Sequence, residues 1–227
     1  MELINFYEQM PDSLKPVKQE NLGFDKHGIT LPCRILISGS SNQGKTLAIL
    51  NYLKLACDKK RGQYDHVHIF TKRSEPLYEY MKYKNPTCVT INEIDENFEF
   101  PSVESFDGKQ SNFVIFDDLI ADKKLCEKVT PFFIRGRKLR PLPLNMAFIT
   151  QDFRATPSVL RKNMTHAWIF KPSTEREKTT MYQDIPLLKN KDLWQRLKVK
   201  KKSTDPNNFL NIDLNKDTVR INFSKLE

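Results

Sequence analysis

No stretch of this 227-residue chain approaches the roughly 18 to 20 consecutive apolar residues needed to cross a bilayer, so no membrane span is expected. The N-terminal residues carry acids and have no basic segment followed by an apolar block, which argues against a secretion signal and for an intracellular protein. Cysteine is scarce and scattered. Cys33, Cys57, Cys88 and Cys126 make no C-x-x-C pair and no Cys/His spacing suited to a metal, and read as small buried residues in a reducing compartment. The alternating pair His66 and His68 could share one strand face, but without further ligands it reads as structural. Internal repeats are missing. So is an N-K-x-D guanine reader, because Asn190-Lys191-Asp192 lacks the intervening residue.

What is present is a phosphate loop. Gly39-Ser40-Ser41-Asn42-Gln43-Gly44-Lys45-Thr46 follows the apolar run Arg34-Ile35-Leu36-Ile37-Ser38 and precedes a helical run from Leu47, the context that a G-x-x-x-x-G-K-T motif demands. Successive backbone N–H groups of such a loop wrap a polyphosphate, and glycines at both ends permit the tight turn and close approach. Lys45 is expected to reach the β- and γ-phosphates of ATP. Thr46 is expected to offer its hydroxyl to Mg²⁺ while the positive end of the helix faces the anion.

Composition, 39% hydrophobic and 29% charged, fits one globular domain of ordinary to large size with appendages. Residues 1–30, with Pro11, Pro16, Gly23 and Gly28 among charges, read as an irregular N-terminal arm. Strands are expected at 34–38, 66–71, 88–91, 112–116, 145–150 and 166–170. Helices are expected at 45–57, after Ser74 as cap with Pro76 in the first turn, at 122–133, and after the capping-box pair Thr174 and Glu177. Near-continuous apolar strands separated by helices imply a mostly parallel sheet covered on both faces, a three-layer α/β/α sandwich over 31–171. Its ligand belongs beyond the carboxyl ends of the strands. The remainder, 172–227, reads as a basic helical segment and a C-terminal β-hairpin packed on that core.

Phe113-Val114-Ile115-Phe116 runs into two carboxylates, Asp117 and Asp118. The first is expected to bind the hydration shell of Mg²⁺ together with Thr46. The second is the candidate to orient or deprotonate an attacking water, although aspartate reaches one methylene less far than glutamate. Gln151, at the tip of the strand 145–150, could sense the γ-phosphate or position the water as an uncharged donor. Arg135 and Arg137 suit a role in trans, since an arginine from a neighbouring subunit contributes roughly 10³ to 10⁵ in rate to phosphoryl transfer; contact with nucleic acid or solvent is the rival reading of the same pair.

The charge is unevenly spread. Residues 121–202 hold 20 Lys/Arg against 7 Asp/Glu, a net +13, whereas the rest holds 17 against 21, a net −4. A concentrated basic field is the footprint of a partner rich in phosphates.

In this order the motifs Gly39 to Thr46, Phe113 to Asp118, Arg135-Gly136-Arg137 and Phe148-Ile149-Thr150-Gln151-Asp152-Phe153 resemble the DNA-packaging ATPases of large double-stranded DNA viruses, virophages and related transposons, within the FtsK/HerA superfamily. The resemblance extends to Met10-Pro11 and His27, to the run Pro157 to Asn163 and to the closing hairpin, nearly the whole chain. It implies a RecA-like P-loop ATPase core, a homo-oligomeric ring on double-stranded DNA, a capsid or portal-type partner, and work within the host cell at the site of virion assembly. Lys198, Lys200, Lys201 and Lys202 would then line a positive channel. A nucleotide kinase with an arginine-rich lid, and a capsid-associated module whose nucleotide site regulates assembly, are the alternatives.

Overall fold

The computed structural model of the protein describes residues 6–11, 17, 19–120, 122–197 and 207–225. Two single-turn helices, α1 (Phe6–Gln9) and α2 (Phe24–His27), lie in the segment expected to be irregular. Gly23 and Gly28 bracket α2 in left-handed backbone, φ 69° and 70°, a conformation glycine adopts without penalty. Strands and helices then alternate: β1 (Arg34–Ser38), α3 (Lys45–Leu55), β2 (His66–Thr71), α4 (Pro76–Lys84), β3 (Val89–Glu93), β4 (Asn112–Asp117), α5 (Lys123–Arg135), β5 (Asn145–Thr150), α6 (Ser158–Asn163), β6 (His166–Ile169), α7 (Glu175–Asp184) and α8 (Lys191–Leu197). Strands β7 (Leu210–Asp213), β8 (Thr218–Ile221) and β9 (Ser224–Lys225) follow.

All nine strands join one sheet in the order β3-β2-β4-β5-β1-β6-β7-β8-β9. The first six in that order are parallel and the last three antiparallel, so the expected mostly parallel sheet and closing hairpin are both present, with β9 as an addition. Side chains alternate across the pleat. Leu36, Val114, Phe116, Met146 and Phe148 enter one core with α5, α6 and α7, whereas Ile35, Ile37, Phe113, Ile115 and Ile149 enter the other with α3 and α4. This two-sided burial explains why the strands read as continuous apolar runs. Trp168 of β6 holds the hairpin side of the second core, with the rings of Phe209 and Phe223 at 5.2 and 5.5 Å.

Several element ends differ from expectation for identifiable reasons. Ser74 does not cap α4: its hydroxyl donates to Glu79 at 2.5 Å and its amide to Glu93 at 2.9 Å. Glu75 is the capping position instead, and Pro76, which has no N–H to satisfy, opens the helix. Asp122 caps α5 by accepting the Leu125 amide at 3.1 Å, and the helix runs on to Arg135 through Pro131. At α7 the Thr174 hydroxyl accepts the Glu177 amide at 3.1 Å. The other half of that box is diverted, because the Glu177 carboxylate turns inward to Phe153 and Ser173.

Phe132 joins α5 to the sheet through Phe116 at 5.1 Å and touches Phe106 and Phe100. Phe132→Ala should lower unfolding free energy by about 3–5 kcal/mol, read from urea unfolding curves. A change below about 1 kcal/mol would show that this aromatic cluster does not hold the layer.

Candidate nucleotide site

Parallel pairing sets the site. Thr71 pairs with Asp117, Asp117 with Ile149, and Thr150 with Ser38, so β2, β4, β5 and β1 end level with one another. The connections leaving them enclose a cavity of about 880 Å³ lined by Ser41, Asn42, Gly44, Lys45, Thr46, Asp117, Asp118 and Gln151, among others. Residues picked from three distant parts of the sequence therefore meet at the carboxyl edge of the sheet, where ligands of such sheets bind.

The loop Gly39–Thr46 is shaped by two different demands on glycine. Gly44 precedes α3 at φ 92°, which only glycine takes readily. Gly39 is required for space: a Cβ there would meet the Phe170 Cβ at 2.6 Å and the Gln43 Oε1 at 2.5 Å. The Gly39 amide donates to the Thr150 carbonyl at 3.2 Å, and Gln43 Nε2 donates to the Lys171 carbonyl at 3.1 Å, so the loop is tied to both neighbouring strands. Lys45 Nζ spans the loop, donating to the carbonyls of Gly39 at 2.7 Å and Ser40 at 2.9 Å. Burial draws its pKa below the usual lysine value, against the opposing fields of Asp117, Glu75 and Asp118.

Asp117 is the last residue of β4 rather than the first beyond it, and it is 6% exposed. Its carboxyl is pushed up to about 6, chiefly by desolvation; the Tyr78 hydrogen bond opposes this, Glu75 and Asp118 add to it, and Lys45 opposes it. Tyr78 Oη donates to Asp117 Oδ2 at 2.7 Å, and Asp117 lines the cavity. Thr46 and Asp117 offer hard oxygen donors in one cavity, the set that suits Mg²⁺ shared with phosphate oxygens. Among the described residues no group of three His, Cys, Asp or Glu is arranged to hold a metal by itself.

Asp118 turns out of the strand at φ 56°, a conformation uncommon outside glycine. Its Oδ1 accepts from Gln151 Nε2 at 3.2 Å, and Gln151 Oε1 accepts from Ser41 Oγ at 3.0 Å. A chain of hydrogen bonds thus links the phosphate loop, the β5 tip and the β4 tip. Behind it the buried Glu177 accepts from the amides of Phe153 at 3.0 Å and Ser173 at 2.9 Å, and from Ser38 Oγ at 3.4 Å.

Arg135 and Arg137 are exposed at the end of α5 and in the turn that follows, and neither lines this cavity. The His66 and His68 rings lie 6.0 Å apart, and His68 meets Asn112 Oδ1 at 3.3 Å, a structural pair. Asn190 and Asp192 flank the start of α8, away from the cavity. Sequence reasoning missed Tyr78, Glu75, Arg73 and Glu177. Their segments carried only helix-start signals, and their roles arise from chain packing.

The fold and site define a P-loop NTPase with one strand between those carrying the phosphate loop and the acids. A family model described as Poxvirus A32 protein matches residues 23–219, and the chain belongs to that family. The DNA packaging protein OPG160 of Vaccinia virus (strain Copenhagen) is 24% identical over 197 residues, 81% of this chain and 67% of that protein. Its Variola virus counterpart is also 24% identical, over 79% of this chain and 68% of its own length. Among solved structures, the genome packaging NTPase B204 from Sulfolobus turreted icosahedral virus 2 in complex with AMP aligns with TM-score 0.55 at 13% identity, over 87% of this chain and 100% of its own. EssC (ATPases 2 and 3) from Geobacillus thermodenitrificans aligns at 0.53 and 13% identity, over 85% and 39%. At these identities the structural matches show a shared fold.

The Asp117 carboxyl gives a signed prediction. Its folded pKa of about 6 lies above the ordinary 3.8, so between these values the folded protein holds the extra proton and stability falls as pH rises from about 4 to about 6. In chelator, Asp117→Asn should flatten that slope and be about 1 to 3 kcal/mol more stable at pH 7, with weaker Mg²⁺-nucleotide binding. Urea unfolding at pH 4, 5, 6 and 7 measures it, and superimposable profiles for the two proteins would refute it.

Proposed function

We propose that this chain is an ATPase that drives double-stranded DNA into a preformed capsid, working as a homo-oligomeric ring. The observation that carries the reading is the meeting of Lys45, Thr46, Asp117, Asp118 and Gln151 in one cavity, in a chain of the A32 family whose relatives are named DNA packaging proteins. The loop amides and Lys45 hold the β- and γ-phosphates against the positive end of α3. Thr46 and Asp117 would hold Mg²⁺, which neutralises charge between β- and γ-oxygens. Gln151 and Asp118, already joined at 3.2 Å, orient water beyond the γ-phosphate. Arg135 or Arg137 of one subunit completes the site of the next, which couples hydrolysis to assembly.

The basic field of residues 121–202 suits sequence-independent contact with DNA phosphates, as a motor passing any sequence requires. Lys198, Lys200, Lys201 and Lys202, expected along the channel, lie outside the described residues. No helix of the described residues is long and apolar enough to cross a membrane, and a capsid or portal-type protein is the expected docking partner. A nucleotide kinase fits less well, because the arginines that would form its lid do not line the cavity.

Purified protein should release phosphate from ATP, faster with duplex DNA, and bind DNA with affinity that falls steeply between 50 and 200 mM salt, by about tenfold or more. Lys45→Ala should weaken nucleotide binding at least tenfold, whereas Asp118→Asn should keep binding and lose turnover. Transfer of phosphate to a nucleoside monophosphate in place of its release would replace this reading with the kinase. Hydrolysis with no DNA taken up in a packaging assay would replace it with an assembly module.

A further inference from the structure

The connection between β2 and α4 forms a third wall of the nucleotide cavity, and it carries a carboxylate with no other task. Arg73, Ser74 and Glu75 all line the cavity together with Gln151 and Asp118. Within this short connection Ser74, Thr71 and Lys72 are committed to other partners. Ser74 binds Glu79 and Glu93, and the Thr71 hydroxyl donates to the Arg73 carbonyl at 3.0 Å. Lys72 pairs with Asp122 at 3.9 Å. These contacts fix the connection on both sides. Glu75 stands at the capping position of α4, yet its side chain makes no cap hydrogen bond. It is exposed to the cavity.

Its reach compares favourably with that of Asp118. The Asp118 side chain is shorter and already engaged by Gln151 Nε2. At Lys45 and again at Asp117, the field of Glu75 outweighs that of Asp118, although Asp118 is next to Asp117 in sequence. The longer carboxylate thus lies closer in electrostatic effect to the residues that grip the phosphates and the metal.

On the reading that this cavity hydrolyses ATP, we propose that Glu75 is the catalytic residue that accepts the proton of the attacking water, with Asp118 and Gln151 holding that water in line. The water oxygen forms a bond to the γ-phosphorus. The bond from that phosphorus to the β,γ-bridging oxygen breaks, and its electron pair leaves with ADP. The water proton passes to Glu75 and from there to the released phosphate or solvent.

Two variants test this: Glu75→Gln and Glu75→Asp. Glu75→Gln should lower kcat for phosphate release by about 10² to 10⁴, bind mant-ATP with Mg²⁺ within threefold of the parent, and retain intact ATP when the protein is separated on a desalting column. Glu75→Asp separates catalysis from capping. Aspartate is the better cap, so a capping role predicts unchanged or raised Tm with full turnover, whereas a proton acceptor pulled back by one methylene predicts preserved Tm with turnover reduced at least tenfold. Glu75→Gln turning over within threefold of an active parent overturns the proposal and leaves the proton to Asp118. Loss of mant-ATP affinity in step with turnover also overturns it, by making Glu75 a binding residue. A parent that releases no phosphate, alone or with DNA, overturns the ATPase reading itself.

Discussion

Asp117 ends a strand buried on both faces, its carboxylate almost out of water and held by the hydroxyl of Tyr78 at 2.7 Å. Such a charge is costly unless a cation arrives to meet it. Lys45 lines the same cavity from the phosphate loop, and it too is drawn from water. The carboxylate and the ammonium are kept at the same sheet edge by register, because β1, β5 and β4 pair so that Ser38 meets Thr150 and Asp117 meets the adjacent Ile149. The rest of the site is arranged around this pair of opposite, incompletely satisfied charges.

Three carboxylates, Asp117, Asp118 and Glu75, share the cavity with Lys45 and Arg73. A polyphosphate entering such a site would meet repulsion from the acids unless it brought a divalent cation. The same acids differ in circumstance. Asp117 is buried and bonded to a tyrosine, Asp118 is turned out and bonded to an amide, and Glu75 is open. Equal chemistry in unequal surroundings is how carboxylates acquire separate roles.

The hydrogen bonds that cross the site also tie it to the framework. Ser41, Gln151 and Asp118 form one chain, and Glu177 behind them joins the end of β1 to the connection after β5 and to the start of α7. The arginines at the end of α5 stand outside this frame, so the cavity of a single chain is built from the phosphate loop, the acids and Gln151 without them.

Strand positions were readable because parallel strands covered on both faces are apolar along continuous runs, and 35–37, 113–116 and 146–149 stand out for that reason. The phosphate loop and the acid pair were readable because backbone wrapping of phosphate demands a fixed spacing of glycine, lysine and hydroxyl, and metal binding demands acids at a strand end. Short helices α1, α2, α6 and α8 carry too few turns to show a period. Ser74 is kept from capping α4 because Glu79 and Glu93 take its hydroxyl and its amide. The amino-acid order by itself thus determined the polyphosphate-binding chemistry and the alternation of layers, both local in origin. Only the tertiary structure decided that Tyr78 holds Asp117, that Glu75 faces the cavity and that Arg135 and Arg137 do not, because each depends on distances between segments separated along the chain and brought together by sheet order.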